Sequence, residues 1–450
     1  MKRYIGITAA LAATALVVTG CSAGDEGGGD TIKVAYSKFG NFTQMDDHMK
    51  AVKEQFEADH EGMTVELVPI EALEADYFTK LALMNQSAST APDVMYEDTF
   101  KVKSDAEAGY ILPLDDYLEG WDDWDQFPEN AREAGAGDDG KIYGVPMGTD
   151  TRAIWYNKQL LADAGVTVPW EPSSWQDILD AAEAVKKTNP ETIPFNIYSG
   201  KAQSEGASMQ GFQMLLSGTE DTLYNSDEKK WVTASEGFVD SLQFITDIYQ
   251  GDLGPTPQQA LDKNVGTTIN SEWIPQGKLA MSLDGSWVSG TWLDSGTTPW
   301  PEWNDVMGVA AMPTQDGDGA GRTSMSGGWT LAMGAKTKNP DAAWDFIATA
   351  LDEDNSLSYD VAASQIAVRT DVGTSPEYVD SNPTFEFFSS LVADTHFRPA
   401  TSDYAKISNE ITVAMEAVMT GQQTPEEAAK AYDEAITGIV GEDKTTEESD

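Results

Sequence analysis

The chain has 450 residues, 40% of them hydrophobic, which is enough for two domains with cores of their own. Its 75 Asp and Glu against 28 Lys and Arg give a net charge of −47, which excludes a nucleic-acid partner or an anionic lipid surface, because like charges repel. A single cysteine excludes a disulfide framework, and the three His (His48, His60, His396) are too scattered for a zinc set or a Cys–His nucleophile pair; no metal or other cofactor is expected.

Lys2 and Arg3 precede an apolar run, Ile5–Val18, that is short for a bilayer span, so residues 1–20 read as a signal peptide. Val18-Thr19-Gly20-Cys21 resembles a bacterial lipobox, which implies that Cys21 carries lipid. Ser22–Asp30 (SAGDEGGGD) then reads as a flexible tether, giving a lipid-anchored segment over 21–30. No later stretch is apolar enough to span a bilayer.

Thr31–Tyr36 places Ile32, Val34 and Tyr36 on one face of a strand. A loop over Ser37–Thr43 leads to a helix with Met49, Val52 and Phe56 at spacings of three and four. Val65 and Leu67 mark a second strand, Tyr77–Met84 a helix, and Pro92–Tyr96 a third strand followed by Glu97-Asp98-Thr99. Alternating strands and helices predict an α/β layer with a mainly parallel sheet. In open sheets of this kind ligands sit beyond the strand C-termini, so Lys38, Asn41, Glu97 and Asp98 become candidate contacts.

Gly144–Lys158 (GVPMGTDTRAIWYNK) joins a Gly-Pro turn composition to the ionic triplet Asp150-Thr151-Arg152 and a strand-like run, Ala153–Tyr156. An ionic triplet beside a buried strand needs a partner. A local Asp150–Arg152 surface pair and a ligand contact fit the spacing equally well. Farther on, Ser173 and Gln176 have capping-box spacing before a helix bearing Trp175, Ile178, Leu179, Ala182 and Val185. Gly277–Trp287 (GKLAMSLDGSW) offers a strand, a turn and a Trp. A Trp is more often core than contact, but this one follows a turn. Ser326–Met333 (SGGWTLAM) has paired glycines, Gly327 and Gly328, that let backbone approach a ligand closely, with Trp329 next. Phe397-Arg398-Pro399 precedes a helix with Tyr404, Ile407, Ile411, Met415 and Val418 on one face, and Thr424 and Glu427 form a last capping box.

Together these stretches resemble the family 1 extracellular solute-binding proteins, the maltose-binding-like receptors of ABC sugar importers. The resemblance rests on the lipobox and tether, Pro146 and Asp150 ahead of Tyr156-Asn157-Lys158, the P-x-S-W of Pro172–Trp175, Asp284-Gly285-Ser286-Trp287 and Gly327-Gly328, in the family's order. It implies an α/β fold of two discontinuous lobes with a ligand cleft between them. The expected lobes are 31–149 plus 313–369 and 150–312 plus 370–440, with Gly144–Asp150, Gly308–Pro313 and Ile366–Val372 as hinge crossings and 441–450 as a disordered acidic tail. It also implies that Asp150, Trp287, Gly327, Gly328 and Trp329 face the ligand, with Asp150 on sugar hydroxyls; Arg152, which is not a general feature of the family, and Tyr404 are further candidate contacts. The expected partners are a carbohydrate and the permease of an ABC importer, at the outer face of the cytoplasmic membrane, with the receptor itself a monomer. Arg152 leaves an acidic sugar or other anion open as ligand. A same-fold receptor for a non-sugar solute is the more serious alternative, and a secreted glycoside hydrolase the weaker one, since it needs two carboxylates at a set separation and no recognised hydrolase motif is present.

Overall fold

The computed structural model describes residues 30–38 and 42–447. The signal peptide, Cys21, the tether up to residue 29, and Asn41 lie outside the described residues.

β1 (Thr31–Lys38) pairs in parallel with β2 (Thr64–Glu71) and with β3 (Val94–Asp98), and β4 (Gly144–Thr149) lies in the same sheet. The chain then crosses to a second sheet built from β5 (Arg152–Asn157), β6 (Ile193–Asn196), β7 (Leu279–Gly285) and β8 (Met307–Ala310), in the order β8-β5-β7-β6. It returns as β9 (Gly328–Met333), which slots antiparallel between β3 and β4 and completes the first sheet as β2-β1-β3-β9-β4. Within these two sheets, parallel pairing covers only half of the first and the β6–β7 pair of the second.

The period-2 pattern explains both sheets. In β5 every residue is buried; Ile154 and Tyr156 enter one core, while Ala153 and Trp155 enter another on the opposite face. A strand covered on both sides reads as a continuous apolar run, which is how Ala153–Tyr156 reads. Helix Gln44–Asp59 buries Met45, Met49, Val52 and Phe56 against the first sheet, joined by helix Pro340–Ala350. Helix Trp175–Thr188 buries Trp175, Ile178, Ala182 and Val185 in the second lobe. Its cap is Ser174, one residue beyond the expected Ser173, whose hydroxyl turns to the Asp177 carboxylate instead at 2.7 Å. The Thr424–Glu427 box forms as expected.

Among the described residues three places join the lobes: the first is only the end of its expected stretch, because Gly144–Thr149 are β4, the second lies elsewhere, and the third comes after Arg369. The first crossing is Asp150-Thr151, between β4 and β5. The second is not Gly308–Pro313: Gly308–Ala310 lie inside β8, paired with Tyr156–Ile154, and Met312-Pro313 pair with Thr323-Arg322. The apolar run Val309–Met312 suits a strand better than a pivot. Gln315 then holds the following turn on the second lobe, its N–H donating to Gly218 O at 2.8 Å and its side chain to Asp240 at 2.7 Å. The crossing falls at Ser326-Gly327, where backbones meet so closely that a Cβ at Gly328 would lie 2.9 Å from Gly148 O. At the third, Ile366 exchanges two 2.9 Å backbone hydrogen bonds with Thr149, Arg369 is still tied to Asp123 of the first lobe at 2.9 Å, and Phe388 has reached Trp155 of the second.

The expected disordered tail, 441–450, is corrected over its described residues, 441–447. Thr445–Glu447 pairs in parallel with Trp231–Thr233 on the second lobe, because its two β-branched Thr suit a strand edge.

Candidate ligand-binding cleft

A cleft of about 270 Å³ opens between the sheets, with Tyr96, Asp98 and Trp329 on the first-lobe wall and Arg152, Asp284 and Trp287 on the second. β3 runs on to Asp98, so alternation points Tyr96 and Asp98 into the cleft and Glu97 away from it. The Tyr96 ring stacks on Trp329 with centroids 4.2 Å apart and planes 6° off parallel. Trp329 also lies 5.9 Å from Phe78, so this half-buried ring serves the first-lobe core as well as the cleft.

Asp150 and Arg152 form a buried pair, not a surface one: each residue is 6% exposed. Asp150 Oδ1 accepts from the Arg152 guanidinium and from Gly327 N–H at 2.9 Å, and the Asp150 carbonyl accepts from Ser326 Oγ at 2.6 Å. One carboxylate therefore pins the first crossing to the second. Arg152 Nη1 also donates to Met325 O at 3.1 Å, and its guanidinium sits 4.9 Å from the centre of the Trp287 ring. That ring folds over Gly285, whose place no residue with a Cβ could take without displacing it. Gly327 is likewise a close-approach position, since a Cβ there would stand 3.3 Å from Arg398 Nη2.

Asp284 stands one residue before the end of β7, at the cleft wall. Tyr198 Oη donates to it at 2.9 Å and Gly285 N–H at 2.8 Å. Burial pushes its carboxyl up to about 6, against the lowering pull of those two donors and of Arg152.

Seven of the predicted residues line the cleft: Asp98, Asp150, Arg152, Trp287, Trp329 and the glycines Gly327 and Gly328. Three do not. Lys38 continues β1 on the Tyr36 face and pairs with Asp46 at 3.0 Å, as does the Tyr36 hydroxyl at 2.7 Å; the cleft is reached by Ser37 instead. Glu97 is wholly buried on the far face, where desolvation and then Asp105 push its carboxyl well above the usual range. Tyr404 stands behind the wall, its hydroxyl donating to Glu205 Oε2 at 2.9 Å and accepting from Gln213 at 2.9 Å. Among the groups not foreseen are Tyr96, Tyr198, Glu205 and Arg398. Glu205 lies in the polar stretch Ser199–Ser208 and heads a π-helix, Gly206–Gln213, a geometry frequent at functional sites. Asp284 stood within the Asp-Gly-Ser-Trp motif.

Two α/β lobes, joined by crossings and enclosing a polar and aromatic cleft, define a two-lobed binding protein. Residues 40–356 match the family model described as bacterial extracellular solute-binding protein, and the chain belongs to that family. It is therefore an extracellular solute-binding protein and not an enzyme. The GacH receptor of Streptomyces glaucescens, solved unliganded and in complex with acarbose, is 26% identical, with a TM-score of 0.76 over 91% of this chain and 98% of that one. A solute-binding protein of Thermotoga lettingae bound with α-D-tagatose shares the fold at 24% identity, with a TM-score of 0.77 over 91% of this chain and 100% of that one. An arabinooligosaccharide-binding protein of Halalkalibacterium halodurans is 24% identical over 79% of this chain and 78% of its own length.

Proposed function

We propose that the chain is the substrate receptor of an ABC importer, that its ligand is a carbohydrate, most simply an oligosaccharide, and that closure of the lobes presents the loaded form to a membrane permease. The observation that carries this reading is the make-up of the cleft: aromatic rings from both lobes, Trp329 with Tyr96 and Trp287 with Tyr198, alternate with carboxylates from both lobes. A sugar has C–H faces that rest on aromatic rings and hydroxyls that donate to carboxylates. The saccharides named for the Streptomyces and Halalkalibacterium relatives support the same class. Asp150, at the first crossing, is the hydroxyl acceptor best placed to join ligand capture to lobe movement. Cys21 supplies the lipid attachment and 21–30 the tether.

An anionic solute is less favoured, because the two guanidinium charges of the cleft each meet a carboxylate: Arg152 pairs with Asp150 and Arg398 with Asp98. Arg152 Nε without a partner and Lys263 in the lining are the donors that an anion would use. The test is a thermal-shift screen of neutral mono- and oligosaccharides against uronic acids. A ligand at a hundredfold excess over its Kd stabilises by about 2.7 kcal/mol. Shifts with neutral saccharides are expected; shifts with uronic acids alone would overturn the carbohydrate reading in its neutral form.

A further inference from the structure

We infer that Arg398 is a positioning residue that latches the two walls of the cleft together, drawing the lobes toward closure whatever solute is present. This rests on the lobe movement proposed above, but its central test requires no ligand.

Arg398 belongs to the second lobe. The preceding pair Thr395-His396 lies in parallel with Ser324-Met325, and the helix that follows, Tyr404–Met419, packs in the second core. Its guanidinium reaches across the cleft. Nη2 donates to Asp98 Oδ1 at 2.6 Å, and Nη1 comes within 3.5 Å of Glu74 Oε1; both carboxylates are first-lobe groups, at the end of β3 and the head of helix Glu74–Asn85. Nη1 also lies 3.4 Å from Glu205 Oε2, on its own lobe. The Arg398 side chain is 4% exposed, so water screens these contacts little. A first-lobe ring completes the latch. Phe100 lies 4.2 Å under the guanidinium and packs edge-on to Tyr404 at 5.2 Å, inside the second-lobe core.

The asymmetry among the three carboxylates makes this a latch rather than a fixed brace. When the lobes part, Asp98, Glu74 and Phe100 leave with the first lobe. Glu205 stays, held by the hydroxyls of Tyr404 and Ser408. Arg398 is thus never left as a buried unpaired charge, the state that makes a broken pair so costly. Opening costs the cross-lobe contacts alone. The planar fork of Arg can serve acceptors on both sides at once, which a Lys ammonium does less well. Because every contact is between protein groups, the latch favours the closed state by one factor for all solutes. Apparent affinity scales with the closed, competent fraction.

The experiment measures the distance between spin labels at Asp76→Cys on the first lobe and Gln258→Cys on the second, both exposed positions, in a chain carrying Cys21→Ser and without any sugar. Arg398→Ala is expected to lower the closed-to-open ratio about tenfold or more, and Arg398→Lys to restore part of it. Asp98→Asn with Glu74→Gln provides the second arm: it removes the cross-lobe carboxylates, keeps an amide oxygen for the Phe100 N–H that Asp98 caps, and leaves Arg398 with Glu205. The same lengthening is expected there even if Arg398→Ala does not fold. A parent-like distance distribution in this double variant, or in a folded Arg398→Ala, overturns the latch. With any sugars that the thermal screen identifies, the affinity loss should be the same factor for each; a loss that differs among sugars would make Arg398 a ligand contact instead.

Discussion

Two arginines line the cleft, and they are held in opposite ways. Arg152 is paired within its own turn of chain, to Asp150 two residues earlier, and that carboxylate also takes the Gly327 N–H. Arg398 is paired across the molecule, to Asp98 at a separation of 300 residues and Glu74 at 324. The first set stitches two crossings together. The second joins opposite walls of the cleft. In the lobe movement proposed above, the same guanidinium–carboxylate chemistry makes a permanent joint in one place and a releasable one in the other, and the difference lies in which partners travel together.

The largest effect should come from breaking the joint. Asp150→Ala leaves the Arg152 guanidinium buried without its carboxylate, and loss of one partner of a buried pair costs about 3–5 kcal/mol. A clear fall in melting temperature is expected, with weaker ligand binding and a smaller scattering change on saturation. If Asp150→Ala melts no earlier than Asp98→Ala, the joint and the latch are not different in kind.

Next come the two tryptophans, one on each wall. Truncating a core aromatic costs about 3–5 kcal/mol, and Trp329, packed on Tyr96 and Phe78, should lose part of that, about 2 kcal/mol, along with affinity. Trp287→Ala should weaken binding with a smaller change in melting temperature, since that ring lies over Gly285 beside Arg152. Denaturant titration with calorimetry of ligand binding separates the two, and equal stability losses would erase the distinction.

A subtler effect concerns Glu97, the acid beside Asp98 that faces away from the cleft. Its folded carboxyl titrates well above its unfolded value, so between those values the native state holds the extra proton. Stability therefore falls as pH rises from the unfolded carboxylate range toward the folded one. Glu97→Gln should remove that slope, raising the melting temperature more at pH 8 than at pH 4. An unchanged slope would mean that Glu97 does not carry it. Finally, Cys21→Ser should leave stability and affinity untouched and release the protein into the medium; continued membrane association, with the permease absent, would remove the lipid anchor.

The sequence was readable wherever contacts are local. Period-2 runs placed β1, β3 and β5, and helical spacing placed Trp175–Val185, because those patterns are set within a few residues. Two of the misassigned site residues, Glu97 and Lys38, trace to strand length. Ending the third strand at Tyr96 made Glu97 and Asp98 equivalent loop acids. Its continuation to Asp98 gives them opposite faces, and the continuation of β1 to Lys38 likewise commits that side chain to Asp46. Arg152 could be singled out because its partner lies two residues away. Arg398 and Glu205 could not, because nothing in Phe397-Arg398-Pro399 records what stands opposite after folding.

The way β9 enters the first sheet has a consequence for how the molecule comes apart. That sheet has a gap between β3 and β4 until Gly328–Met333 arrives, after the whole second sheet has been threaded. The second core in turn is unfinished until Tyr404–Met419 and Pro425–Val440 pack into it, after the first lobe has received its last helices. Each half thus borrows its closing piece from beyond the other. Two lobes so interleaved should melt as one cooperative unit, with a calorimetric enthalpy equal to the van't Hoff value, even though a cleft divides them.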